Sequence, residues 1–438
     1  MSLEIYGLIL LISLFFFICV GFPISFTLIT LAIVFGYIGL GTKVLYLMTF
    51  SFFGTMMDTV LAAVALFTFM GYVLEEAGLM ERLFRAIQLI SGRLHGSMYL
   101  ATIVTAMLFA MATGIVGASV TIIGLMAAPV MKKSGYDTGL SAGTICAGGT
   151  LGILIPPSIM LVVMGPVFQV SVARLYAAAF LPGFMLAFLY FLYTTIRVML
   201  KPEMGPPLPD EMLNVKKSYI WREFFTGLVP VATLILLALG SIISGLATPT
   251  EGAALGCLGA VVVTAANGRL TFKIIKGSAF RTAETTSMVM ILLAASTFMG
   301  AVFSSMGTPK LIADTLLSFN LPSWVFVVGI LIVAFILGWP LEWIPIVCVI
   351  IPIFLPVLNG LHVNMVWFGI VLAVTLQSCW ISPPVALSAY YLKAIMPEWE
   401  LLDIYKGMMP FMFLQALAVA LLYMFPQIVM WFPNLVFG

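Results

Sequence analysis

The sequence predicts an all-α polytopic membrane protein made of two inverted-topology repeats, each holding a re-entrant helical hairpin and a broken helix. Three observations lead there. Hydrophobic residues make up 63% of the 438, charged residues only 8%, and the mean hydropathy is +1.19, which excludes a soluble globular core. Motifs recur at a near-constant offset. Pro156-Pro157 returns as Pro383-Pro384 and Pro129 as Pro356, both 227 residues on (383 − 156, 356 − 129). Thr68-Phe69-Met70-Gly71 returns as Thr297-Phe298-Met299-Gly300 at 229 (297 − 68), and Pro23 as Pro249 at 226 (249 − 23). Finally, the 19 Lys and Arg residues segregate to one side once spans are drawn.

Apolar runs measured against the ~20 residues needed to cross a bilayer place spans at 3–20, 23–40 and 59–78. The first begins at Leu3 with no basic segment before it and leads into Gly21-Phe22-Pro23 instead of a small-residue cleavage site. It reads as a retained span, not a signal peptide. A polar arm at 79–97 carries Arg82, Arg85, Arg93 and His95. The apolar stretch 98–131 is short for two crossings and a turn, and its weak point, Ala112-Thr113-Gly114 to Gly117, is central; it is predicted as a re-entrant hairpin. A broken span at 138–165, interrupted from Gly152 to Pro157, and a whole span at 176–198 complete the first copy.

The second copy repeats the order. Spans at 226–246, 250–266 and 284–306 lead to an arm at 308–320 and a hairpin at 324–358, tipped by Gly338-Trp339-Pro340-Leu341-Glu342. A broken span at 365–394 and a last span at 407–431 follow. The division is therefore 1–200 for the first repeat, 201–225 for a cytoplasmic linker and 226–438 for the second repeat. With hairpins that re-enter, sixteen basic residues, Arg82, Lys132, Lys216, Lys273 and Lys406 among them, fall on one face and three, Lys43, Arg174 and Lys310, on the other. The rich face is cytoplasmic by the positive-inside rule, and both termini lie outside.

A double proline inside an apolar span removes backbone donors and leaves carbonyls bare. In lipid, bare backbone is tolerated only where it lines a protected cavity, which is how secondary transporters build midplane binding sites. The isolated acids have structural readings. Thr248, Pro249 and Glu251 spell a capping box with proline at the first helical position, and Asp58 and Glu284 open spans, where a carboxylate favours a helix N-terminus. The five cysteines are scattered singly, His95 and His362 have no metal-ligand spacing, and no HExxH pair or Gly-x-Ser-x-Gly elbow is present, so a membrane enzyme ranks low.

Gly149-Thr150-Leu151-Gly152-Ile153-Leu154-Ile155-Pro156-Pro157-Ser158-Ile159, the stretch Ala247-Thr248-Pro249-Thr250-Glu251, and the run from Asp403 to Phe411 together resemble the large membrane (DctM-type) subunit of tripartite ATP-independent periplasmic (TRAP) transporters. The resemblance covers essentially the whole chain. The stretches 111–119 and 143–152 are closer to the branch labelled for mannitol, chloroaromatic compounds and 2-oxo acids than to the sialic-acid branch. The resemblance implies a bacterial inner-membrane protein with an elevator-type scaffold and transport domain. It would take up a small organic anion, a carboxylate, with sodium as the co-transported ion, alongside a small four-span (DctQ-type) membrane subunit and a periplasmic (DctP-type) substrate-binding protein. No organic cofactor and no nucleic acid are implied.

Carried over residue by residue, the family's first sodium site falls on Thr113 at the first tip and on Gly152, Ile155 and Pro157 at the first break. The tip reads Thr113-Gly114-Ile115 where relatives often have Ser-Gly-Ser, so a second hydroxyl is missing, and Ser119 stands where relatives have Asp. The second sodium site falls on Gly338 and Glu342 at the tip and on Ser382 and Val385 at the break, with Glu342 where relatives often have Asp. Candidate substrate contacts are Thr113, Gly114, Ser119, Ser158, Trp339 and Pro384. No Lys or Arg lies in either tip or break, so the anion would meet helix N-termini, N–H groups, hydroxyls and the bound cations. A stand-alone ion-coupled organic-anion transporter of the same architecture, working without a binding protein, is the alternative.

Overall fold

The computed structural model describes residues 2–209, 213–319 and 321–438, the side chains of Ala112, Thr113 and Leu317 excepted. Ten helices among the described residues are long and apolar enough to cross a membrane. In the first copy these and shorter helices run α1 Leu3–Val20, α2 Ile24–Leu40, α3 Lys43–Met57, α4 Ala62–Glu76 and the arm α5 Leu79–Ser91. The hairpin α6 Ser97–Thr113 and α7 Val116–Lys133, the broken pair α8 Thr138–Thr150 and α9 Ile159–Phe168, and α10 Val172–Leu200 follow. The second copy comprises α11 Lys217–Ile243, α12 Pro249–Ala266, α13 Phe272–Ser305 and the arm α14 Thr308–Ser318. Its hairpin is α15 Ser323–Leu341 with α16 Trp343–Gly360, its broken pair α17 Met365–Ser378 and α18 Leu387–Ile395, and it closes with α19 Leu401–Met424 and α20 Gln427–Phe437. The expected hairpins, broken helices and arms are all present.

Local chemistry punctuates these helices. Gly21, at φ 100°, ends α1 by turning its N–H back to Ile18, and Pro23 then opens α2. The capping box at α12 is complete: the Thr248 hydroxyl accepts from the Glu251 N–H, and the Glu251 carboxylate accepts from the Thr248 N–H at 2.8 Å.

The inversion of the two copies is visible in which residues meet. The third spans, α4 and α13, correspond at an offset of 229, and they touch through Tyr72 with Thr285 (2.8 Å) and Glu75 with Arg281 (2.9 and 3.0 Å). The numbers rise on one helix as they fall on the other, so equivalent helices run antiparallel, as a two-fold axis lying across them requires. Helices α4 and α12 instead run parallel. Thr250, Cys257 and Thr264 donate to the carbonyls of Thr59, Leu66 and Val73, a repeat of seven residues on both segments. Thr150 and Gln377, themselves equivalent at 227 (377 − 150), bond to each other at 3.1 Å. Only residues on a two-fold axis can meet their own counterparts in this way.

Several boundaries differ from expectation. Helix α3 occupies 43–57, where no span was drawn; its 15 residues fall short of the crossing length, and Tyr46, Phe50 and Phe53 are exposed. Its counterpart is fused into α13, which begins at Phe272, twelve residues before the expected 284 (284 − 272). Glu284 therefore does not cap a helix but lies in the interior of one. Asp58 does what was expected: its carboxylate accepts from the Val60 N–H at 2.9 Å. Helix α10 ends at Leu200 and α11 already starts at Lys217, before the expected 226. After α10 the chain crosses the base of the first hairpin, with Gly96 donating to Gly205 and Leu208 to Gly92, each at 2.8 Å. The last span divides at Pro426, and α20 folds back along α10, bringing Phe432 to 5.6 Å from Phe180 and Phe437 beneath Arg174. The N-terminus is held at the second arm, where the Thr308 hydroxyl donates to the Glu4 carbonyl two residues before Lys310. Both termini thus end beside basic residues of the minority set.

Candidate functional site

The first hairpin sits on the first break because α8 ends in glycines. A Cβ at Gly148 would stand 2.9 Å from Ala106, one at Gly149 would stand 3.0 Å from the Val120 backbone, and one at Gly152 would stand 3.5 Å from Ala110 Cα. Both hairpin arms therefore lie directly on that face. At the tip, Gly114 adopts φ +63°, and a Cβ there would be 3.1 Å from the Pro157 carbonyl oxygen. The tip thus touches the break. Pro156 and Pro157 bring no N–H, and the Ser158 hydroxyl donates to the Ile153 carbonyl. The carbonyls of Ile155, Pro156 and Pro157 accept no hydrogen bond from the described residues. Ser119, fully buried, donates to the Ile115 carbonyl at 2.7 Å. The side chain of Thr113 lies outside the described residues.

The second hairpin repeats the arrangement with different side chains. Gly338 packs against Cys379, with a Cβ there 3.0 Å from Cys379 Cβ and overlapping its Sγ. Trp339 Nε1 donates to the Ser382 hydroxyl at 2.8 Å, pinning tip to break. The carbonyls of Ile381, Ser382, Pro383 and Pro384 accept no hydrogen bond from the described residues, while Val385 accepts a long one, 3.4 Å, from the Tyr405 hydroxyl. Glu342 forms the turn itself, at φ 58°, and has neither ion pair nor hydrogen bond among the described residues. It lines a small cleft of about 10 Å³ with Gly338, Trp339, Cys379, Trp380 and Val385. All four residues assigned to the second sodium site fall at this contact.

The Tyr391 ring of α18 lies against Gly117 of the first hairpin, where a Cβ would be 3.0 Å from Cζ. Nothing in the sequence singles it out: a tyrosine on a predicted span is an ordinary residue until the fold places it against the hairpin. Thr150 and Gln377 were also missed, although their offset of 227 is the same as that of the prolines (377 − 150).

Two clusters of bare carbonyls, each closed by a hairpin tip and one carrying an unpaired carboxylate, are suited to holding hard cations with oxygen ligands. Together with antiparallel repeats, they define a membrane transporter of the inverted-repeat class. More closely, the chain belongs to the family described as the tripartite ATP-independent periplasmic transporter, DctM component, which it matches over residues 11–428. That family is a transporter permease, not an enzyme.

Relatives support the assignment at low identity. The chain is 30% identical to the C4-dicarboxylate TRAP transporter large permease protein DctM of Pseudomonas aeruginosa over 342 residues, covering 76% of this chain and 77% of that one. It is 25% identical to the sialic acid TRAP transporter large permease protein SiaM of Vibrio cholerae, covering 95% and 96%. The isethionate TRAP transporter permease protein DctMQ of Oleidesulfovibrio alaskensis is 29% identical over 75% of this chain and 51% of its own length. In fold, the chain is similar to the crystal structure of the Alcanivorax borkumensis YdaH transporter, with a TM-score of 0.67 at 16% identity, covering 96% and 98%.

Proposed function

We propose that the protein is the large permease of a sodium-coupled uptake system for a small organic anion, placed in the bacterial inner membrane. A periplasmic DctP-type binding protein delivers the anion, and a small four-span DctQ-type subunit completes the permease; the Oleidesulfovibrio relative is named as a permease DctMQ. The observation that carries this reading is the duplicated contact of tip and break. Thr113, Gly152, Ile155 and Pro157 form the first sodium seat, and Gly338, Glu342, Ser382 and Val385 form the second. Bound sodium offsets the substrate carboxylate in a region without Lys or Arg, so ion and anion each favour the other's binding. Relatives named for C4-dicarboxylates, sialic acid and isethionate support an anionic substrate class. A crevice of about 420 Å³, lined by Asp58, Thr297 and Ser304 on one side and by Val163, Cys348 and Pro352 on the other, supports an elevator motion across that boundary.

The test is uptake into proteoliposomes holding this chain and its small subunit, supplied with the binding protein loaded with its ligand. Uptake driven by an inward sodium gradient and lost without the binding protein is expected. Sodium-driven uptake of free ligand with no binding protein would replace this reading with the stand-alone transporter, and uptake indifferent to sodium would remove the coupling.

A further inference from the structure

The polar contact on the two-fold axis belongs to neither seat. Thr150 is the last residue of α8, two before Gly152, and Gln377 lies two residues before Cys379, against which Gly338 packs. Gln377 Nε2 donates to Thr150 Oγ1 at 3.1 Å; Gln415 of α19 donates to the same oxygen at 3.5 Å and to the Tyr190 hydroxyl of α10 at 2.8 Å. All four residues are 0% exposed. Thr150 in turn donates to the Ala147 carbonyl at 2.8 Å. In an interior this apolar, four polar side chains are a costly choice, and the set is not even complete: the amide oxygens of Gln377 and Gln415 are buried with no hydrogen-bond partner among the described residues. A network with two spare acceptors has discrete alternatives, because each amide can turn and exchange the group it offers to Thr150 or Tyr190.

We propose that the Thr150–Gln377 pair, with Gln415 and Tyr190, couples the two cation seats, so that filling one raises the affinity of the other. The proposal rests on the two-seat reading of the function. Coupling between sites requires an element with more than one arrangement that both sites bias. This network is such an element, joined directly to both breaks. A shift of Thr150 is passed to Gly152, and a shift of Gln377 to Cys379 and the Gly338 tip.

The test is sodium-induced thermal stabilisation of the full chain in lipid nanodiscs, titrated at constant ionic strength with choline. The wild type should bind cooperatively, with a Hill coefficient approaching the number of seats. Gln377→Met, which keeps the volume and removes the hydrogen bonds, should lower the Hill coefficient to about 1. The sodium midpoint should rise by about 2- to 12-fold, the square root of the usual 5- to 150-fold range of coupling between two sites. Thr150→Val should do the same and the double variant no more, while Thr150→Ser, which keeps the hydroxyl, should remain cooperative. Gln377→Met with an unchanged Hill coefficient overturns the coupling and leaves the two seats standing. If Gln377→Met does not accumulate, Thr150→Val decides the same question. No sodium effect in the wild type overturns the seats and the coupling together.

Discussion

Gly338→Ala is the sharpest probe of the second seat, because the fold leaves no room for one methyl group. Its Cβ would lie 3.0 Å from Cys379 Cβ and overlap Sγ, whereas carbon atoms rest about 3.5–4.0 Å apart. Tip and break must therefore separate by at least about 0.5 Å. Ligand distances at a cation site hold to within about 0.2 Å, so that displacement is enough to spoil the seat. Overpacking costs about 1–3 kcal/mol, which corresponds to about a 5- to 150-fold loss if it is taken from sodium affinity. The assay is sodium-dependent thermal stabilisation, with uptake measured in parallel. Cys379→Ala added to Gly338→Ala removes the overlapping sulfur and should restore part of the affinity. Gly329→Ala, on the same helix with nothing within 4 Å, is the control and should leave sodium binding unchanged. Wild-type sodium affinity in Gly338→Ala would refute the reasoning, for it would mean that contact between Gly338 and Cys379 has no part in holding the ion.

Glu342→Gln should keep the fold but lose most of the stabilisation that sodium confers, about 2.7 kcal/mol in the wild type at a hundred times the Kd; an unchanged sodium midpoint would remove Glu342 from the seat. Arg281→Met strands Glu75, whose side chain is only 18% exposed and whose carboxylate takes both guanidinium nitrogens. A cost of about 1–3 kcal/mol in thermal or denaturant unfolding is expected, less than for a fully buried pair because Arg281 is partly solvated, and Glu75→Gln should recover part of it. In a cysteine-free background, a cysteine at 216 should resist an impermeant thiol reagent in intact cells while one at 310 reacts; the reverse pattern would invert the topology.

The hairpins and breaks were legible because they were written twice: a central interruption in a 34-residue apolar stretch is ambiguous once and specific when it recurs opposite a double proline. Helix α3 was not legible, since 15 residues bounded by Lys43 and Asp58 do not fit a crossing template, and packing against α2 and α13 is what makes them a helix. Reading Glu284 as a cap failed for a related reason. The true cap is Thr271, whose hydroxyl accepts from the Ile274 N–H at 3.2 Å, and a helix of 34 residues extends well beyond its apolar window. At the seats, the sequence could name Gly338, Glu342 and Ser382, but not that Trp339 would tie the tip down through Ser382, because that bond depends on the approach of two segments 43 residues apart.

The break at Asp58 has a consequence for energy balance. Where two halves of a transporter trade conformations, identical halves would make the two end states related by the two-fold axis and equal in free energy. Here α13 is an unbroken strut of 34 residues, while its counterpart is jointed between Met57 and Thr59, and Ser287 stands in place of the aspartate. Bending one strut and not the other removes the degeneracy. Nothing in the repeat then requires the empty protein to favour its two sides equally before any ion or substrate arrives.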